Sequence, residues 1–139
     1  MKRALLLVLA VIAVGCVDAE TRARTEQGDV DSQHNLGVSY SDGIGVLEDD
    51  AEGARWWRLA AEQGGADSQY SLGLMYARGD GVPEDMVLAY MWWNLAVAQG
   101  HELAQETKDM LEEVMTREQI AEGQRLSTEW IEAHPPGGN

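Results

Sequence analysis

The chain has 139 residues, one small domain's worth, and carries 24 acidic against 10 basic side chains. A net charge of −14 repels nucleic acid and anionic lipid headgroups, favours basic partners and keeps outer faces solvated. With no phenylalanine, one cysteine and three histidines, the composition argues against a large central core, an intramolecular disulfide or a clustered metal site.

Residues 1–15 open with Lys2-Arg3 and continue as an unbroken apolar run from Ala4 to Val14. A basic start, a short apolar core and small residues after it form an export signal, and the run is shorter than the ~20 residues of a membrane span. Two cleavage readings stand side by side. Ala13-Val14-Gly15-Cys16 resembles a bacterial lipobox, which makes Cys16 the candidate lipidation site and the new N-terminus. Val17-Asp18-Ala19 is instead a small-residue site for ordinary signal peptidase, after which the mature chain begins at Glu20. Either way the expected location is the periplasm, with a lipid anchor in the outer membrane under the first reading. Residues 16–29 are expected to form a degenerate N-terminal capping helix. Glu26-Gln27-Gly28 stands one period ahead of Glu62-Gln63-Gly64, and terminal repeats are usually atypical.

The central stretch is written twice. Shifted by 36 positions, Asp31–Gly64 falls on Asp67–Gly100, and 17 of the 34 aligned pairs are identical. Such a period marks stacked repeats, here residues 30–65 and 66–101. In each unit Leu36, Gly37 and Tyr40 (Leu72, Gly73, Tyr76) share one helical face, and so do Trp56 and Ala60 (Trp92, Ala96). Gly43-x-Gly45 and Gly79-x-Gly81 break the first helix, because glycine tolerates positive φ. Asp49 stands as an N-cap with Glu52 as its capping-box partner, and Asp85 repeats the cap without the box. Gly64 and Gly100 end the second helices. Helices are expected over 30–42, 49–63, 66–78 and 85–99. In the C-terminal capping region, residues 102–133, two more are expected over 102–114 and 117–132. Thr116–Gln119 forms a capping box, and Ile120, Leu126, Trp130 and Ile131 supply the last helix's apolar contacts. Residues 134–139 are expected to be a disordered tail.

Leu72-Gly73, Tyr76, Gly79-x-Gly81-Val82, Asp85, Ala89, Trp92, Ala96 and Gly100, with their counterparts in the first unit, resemble the Sel-one-like repeat family, relatives of tetratricopeptide repeats. The chain departs from the family pattern at Ser32, Ser68 and Val97, and at Gly53, where alanine is expected in mid-helix. The resemblance implies an all-α fold, a right-handed α/α solenoid of short helix-turn-helix repeats, that binds other proteins. Trp56 and Trp92 fall on the family's packing position. Trp57 and Trp93 are expected to fill the contact between neighbouring units, the other reading being an exposed aromatic patch.

No residue pattern calls for catalysis or a cofactor. The Gly-x-Gly pairs lack the Lys-Ser/Thr of a phosphate loop and recur at the repeat period, as turns do. Glu48-Asp49 and Glu84-Asp85 recur likewise, as caps. His34, His101 and His134 match no metal spacing. The expected function is a non-enzymatic scaffold or adaptor at the cell envelope that holds a protein or peptide. Two other readings remain: a secreted hydrolase or β-lactam-binding member of the same family, weakened by the lack of paired cysteines, and a structural subunit of a larger envelope complex. By resemblance to tetratricopeptide repeats, first helices line the concave groove. The stripe facing it is His34, Val38 and Ser41, then Tyr70, Leu74 and Ala77, each set at i, i+4 and i+7. Tyr70 is the expected anchor for the partner.

Overall fold

The computed structural model describes residues 28–137, and these form α1 (Val30–Asp42), α2 (Asp50–Glu62), α3 (Ala66–Arg78), α4 (Met86–Ala98), α5 (Glu102–Glu112) and α6 (Arg117–Ala133). Among the described residues there is no strand. The export signal and Cys16 lie outside the described residues, as does the capping helix expected over residues 16–29 except for Gly28 and Asp29, which form the turn and cap before α1.

Local chemistry sets the helix ends. Asp29 accepts a hydrogen bond from the Ser32 amide (3.2 Å), Asp49 from that of Glu52 (3.0 Å) and Asp85 from that of Leu88 (2.9 Å), so α1, α2 and α4 each begin on an aspartate cap. The Glu52 carboxylate does not complete the expected box: it accepts two bonds from Arg55, one turn along the same face. Thr116 and Gln119 do form a reciprocal box at the start of α6. Gly43 and Gly79 end α1 and α3 in the left-handed region, at φ 67° and 71°, where a side chain would be strained. The ends of α2 and α4 carry the paired bonds of a Schellman motif. The amides of Gly64 and Gly65 reach the carbonyls of Ala61 and Ala60, and those of Gly100 and His101 reach Val97 and Ala96.

Within each unit the two helices are joined by a tryptophan seated on a glycine. A Cβ on Gly37 would stand 2.3 Å from the Trp57 indole, and one on Gly73 would stand 2.3 Å from that of Trp93. The indole N–H of Trp57 donates to the His34 carbonyl (3.1 Å) and that of Trp93 to the Tyr70 carbonyl (3.0 Å). Both rings are therefore buried across the pair inside their own unit, and both belong to the apolar cluster that runs through the two units. The contact expected between units is in the first place a contact within them.

The helices α1 and α2 pack as one pair and α3 and α4 as the next, with α2 on α3 between them. The core centres on α4. Seven of its residues, from Ala89 to Ala96, are buried, which suits a helix that is apolar all round. The third pair is splayed: α5 and α6 each pack on α4 rather than on one another. The period explains why. Asp109 stands 36 positions after Gly73, and Glu129 stands 36 after Trp93, so the third pair has neither the notch nor the ring. Instead α6 lays Gly123 against the Tyr90 ring and Trp130 edge-on to Trp92, 6.2 Å between centroids. Ile120 and Leu126 support this contact, whereas Ile131, expected among the apolar contacts, is exposed. His134, expected to open a disordered tail, stacks on Trp130 at 4.2 Å. Residues 135–137 follow it, exposed.

Candidate interaction surface

All six residues of the first-helix stripe are half-buried. Val38, Tyr70, Leu74 and Ala77 pack against the core cluster. Ser41 lies against Gly53 of its own unit, where a Cβ on the glycine would come within 3.2 Å of the Ser41 amide nitrogen. That contact also gives Gly53 a structural role in the crossing of α1 and α2. His34 reaches across to the next unit: its Nδ1 is 2.8 Å from the Ser68 hydroxyl. Tyr70 stacks on His101 at 4.8 Å, and the His101 Nε2 is 3.1 Å from an Asp67 carboxylate oxygen. At its N-terminal end the stripe thus links successive units, through His34 and Tyr70.

A cleft of about 440 Å³ opens beside it, between the N-terminal ends of α1 and α3, lined by Asp31, His34, Asn35, Gly65, Asp67 and Ser68 among others. Asp31, Asn35 and Asp67 are exposed there. Burial holds the His34 imidazole below its usual pKa, against the opposing pull of Asp67 and Asp31. The cleft therefore presents carboxylates and a histidine that resists protonation, which is a surface for cations and hydrogen-bond donors.

A larger cavity of about 690 Å³ lies at the C-terminal ends of α2, α4 and α6, reaching from Gln63 and Gln99 to Trp130 and His134. Gln63, Gln69 and Gln99 line it, and they belong to a glutamine network that motif reading missed. Gln63 donates to Gln33 (2.7 Å), Gln99 donates to Gln69 (2.9 Å), and Gln69 donates to the Ala61 carbonyl (3.2 Å). Gln33 and Gln69 are buried, so these bonds satisfy amides that would otherwise be costly. The available signal was their recurrence at the repeat period. Tyr90 was also missed, because its counterpart in the first unit is Ala54. Its hydroxyl donates to Glu112 (3.0 Å) and lies 3.4 Å from the Gln124 amide nitrogen, tying α4 to α5 and α6. Burial is the first cause that raises its pKa.

Among the described residues no three His, Cys, Asp or Glu side chains gather as metal ligands, and no helix is long and apolar enough to cross a membrane. The expected lipidation site, Cys16, lies outside the described residues.

The Sel1 repeat family model matches residues 30–65 and 66–101. No curated protein matches the chain. Among solved structures, the chain is similar to c5321, a protective antigen present in uropathogenic Escherichia coli strains and displaying an SLR fold. The two are 34% identical with a TM-score of 0.78, over 84% of this chain and 25% of that one. It is also similar to a Sel1 repeat protein from Oxalobacter formigenes, at 36% identity and TM-score 0.64, over 66% of this chain and 26% of that one. The chain thus spans about a quarter of the length of these relatives. Two tandem matches, each carrying the tryptophan-on-glycine joint and the aspartate-capped second helix, identify the chain as a member of the Sel1 repeat family.

Proposed function

We propose that this chain is a protein-interaction module that works as an exported scaffold or adaptor and takes a basic segment of its partner along the first-helix side. Proteins built from the Sel1 repeat generally act as interaction modules and are typically non-catalytic, which supports the reading. The observation that carries it is the cleft between α1 and α3, where Asp31 and Asp67 stand exposed beside His34. Two carboxylates in one recess attract lysine or arginine by charge. Val38, Ser41, Tyr70, Leu74 and Ala77 continue from the cleft as the half-buried seam that the bound segment follows. The periplasmic location rests on the leader pattern of residues 1–15, and the outer-membrane anchor rests on Cys16.

A photoreactive residue at the exposed Asn35 tests the reading in intact cells. The expected product is one adduct, to a basic stretch of an envelope protein, and Asp31→Asn with Asp67→Asn abolishes it. An adduct that persists undiminished in the double variant removes the cleft from consideration. Mass spectrometry of the mature N-terminus tests the anchor: a lipidated Cys16 supports it, and an unmodified Glu20 overturns it.

A further inference from the structure

The helix α5 carries an apolar stripe that the fold leaves bare. Leu103 is 55% exposed, Met110 62% and Val114 68%. At 100° per residue Leu103 and Met110 lie about 20° apart on the helix wheel, and Val114 follows in the turn just past the end of α5. The packing side, marked by the buried Ala104 and Leu111, lies about 90° round the wheel from the stripe. The repeat period shows what is unusual here. One and two periods before Leu103 stand Asp67 and Asp31, and before Val114 stand Arg78 and Asp42, all exposed and charged. At two solvent-facing positions, one in α5 and one in the turn after it, the chain therefore carries an exposed aliphatic side chain in place of a charge.

Met110 stands in register with Val38 and Leu74. Those two are half-buried in α1 and α3, each of which is followed by another first helix. No first helix follows α5 among the described residues, and Met110 is open. The same change marks the flanking register: His34 and Tyr70 are half-buried where Glu106 is exposed, and Ser41 and Ala77 are half-buried where Glu113 is exposed. Met110 thus continues the face that is half-buried in α1 and α3, and Leu103 and Val114 border it on the side that is charged there. Along one edge the stripe is bounded by the exposed carboxylates of Glu102, Glu106, Asp109 and Glu113.

We propose that this face of α5 docks an amphipathic helix of a partner protein, with aliphatic residues at helical spacing on the docking side and lysine or arginine along one flank. Continuity with the internal stacking face makes the occupant a helix. The row of four carboxylates makes its flank basic, and it disfavours a second copy of this acidic chain, which would bring like charges together. The surface lies apart from Asp31 and His34 of the cleft between α1 and α3, and only Asp67, through His101, touches both.

The test uses two model helical peptides long enough to lie along α5, one of leucine and lysine and one of leucine and glutamate, titrated into the chain by fluorescence anisotropy. The lysine peptide is expected to bind with an affinity that falls as salt is raised, and the glutamate peptide is expected not to bind. Met110→Glu should weaken binding by about tenfold or more, as for a residue central to an apolar contact. Because Met110 is exposed, that variant should keep the parent's circular dichroism and melting temperature. Asp31→Asn should leave the affinity unchanged, which separates this surface from the cleft. Failure of the lysine peptide to bind, equal binding by Met110→Glu, or loss of binding in the Asp31→Asn variant would each overturn the proposal. So would sedimentation showing that the chain self-associates and that Met110→Glu separates the copies, since the face would then be an interface between copies.

Discussion

Gly73 is the residue on which a whole unit depends. A methyl group there would enter the Trp93 indole, which is 2% exposed, has no room to swing aside and is held by its bond to the Tyr70 carbonyl. Gly73→Ala is therefore expected to cost about 1–3 kcal/mol by overpacking, although alanine is intrinsically the better helix former. Chemical denaturation checks this, and a variant as stable as the parent would mean that the ring does not sit in the notch. His34 sets a pH dependence. Its folded-state pKa lies below the unfolded value of about 6.5, so its contribution is present above that pH and is lost as pH falls through the folded value. His34→Gln is expected to flatten the loss of stability just below about pH 6.5 while leaving the carboxylate-driven loss at lower pH in place. Identical profiles for parent and variant would rule out His34 as the titrating group.

At the scale of the element, α6 shows how a helix can be kept after its usual partner is gone. It lacks a tryptophan to place on α5, and its seat is on α4, through Gly123 against Tyr90. A Cβ on Gly123 would stand 2.5 Å from the Tyr90 ring, which is 1% exposed. Gly123→Ala should therefore lift α6 from its seat at a cost of about 1–3 kcal/mol. Limited trypsin digestion reads the result, because Arg117 and Arg125 are exposed on this helix. The variant is expected to be cut there faster than the parent, and equal rates would contradict the seating. Gly53 in α2 is different. Its Cβ would meet the Gly37 carbonyl at 3.1 Å, yet the second unit holds Ala89 at the same register, fully buried. Glycine at this position is therefore one solution to a close crossing and not the only one.

For the whole molecule, stability runs through nearest neighbours, as in other stacked-repeat proteins, and α4 is the element with most neighbours. Deleting residues 117–139 would uncover Tyr90 and Trp92 at the end of the stack. Each large apolar side chain brought into water costs about 1.5–3 kcal/mol, so the truncated chain is expected to lose roughly 3–6 kcal/mol and to aggregate on heating. Differential scanning calorimetry measures this, and a truncated chain that melts like the parent would show that α6 is not a cap. The acidic surface has a broader consequence. Both candidate interaction surfaces, the cleft between α1 and α3 and the face of α5, carry carboxylates, so partner binding at either should weaken with rising salt.

The sequence by itself determined the four helices of the two units from their period, the caps at Asp49 and Asp85, and the start of the last helix at Thr116, because each of these depends on residues a few positions apart. Asp49, Gly43 and Gly64 act on their own turns, and the position of Trp57 relative to Gly37 is constant from unit to unit. Only the tertiary structure decided which neighbour each side chain meets. It placed Trp57 and Trp93 over glycines of their own unit. It turned Glu52 to Arg55, and it half-buried the stripe from His34 to Ala77. It also made Tyr90, which has no counterpart in the first unit, the post on which both closing helices rest. The physical reason is that periodicity names the face a side chain occupies, whereas the neighbour on that face is set by where the next helix stops or continues. The bare stripe of Leu103, Met110 and Val114 could therefore be recognised only once it was clear that no helix of the described residues lies over it.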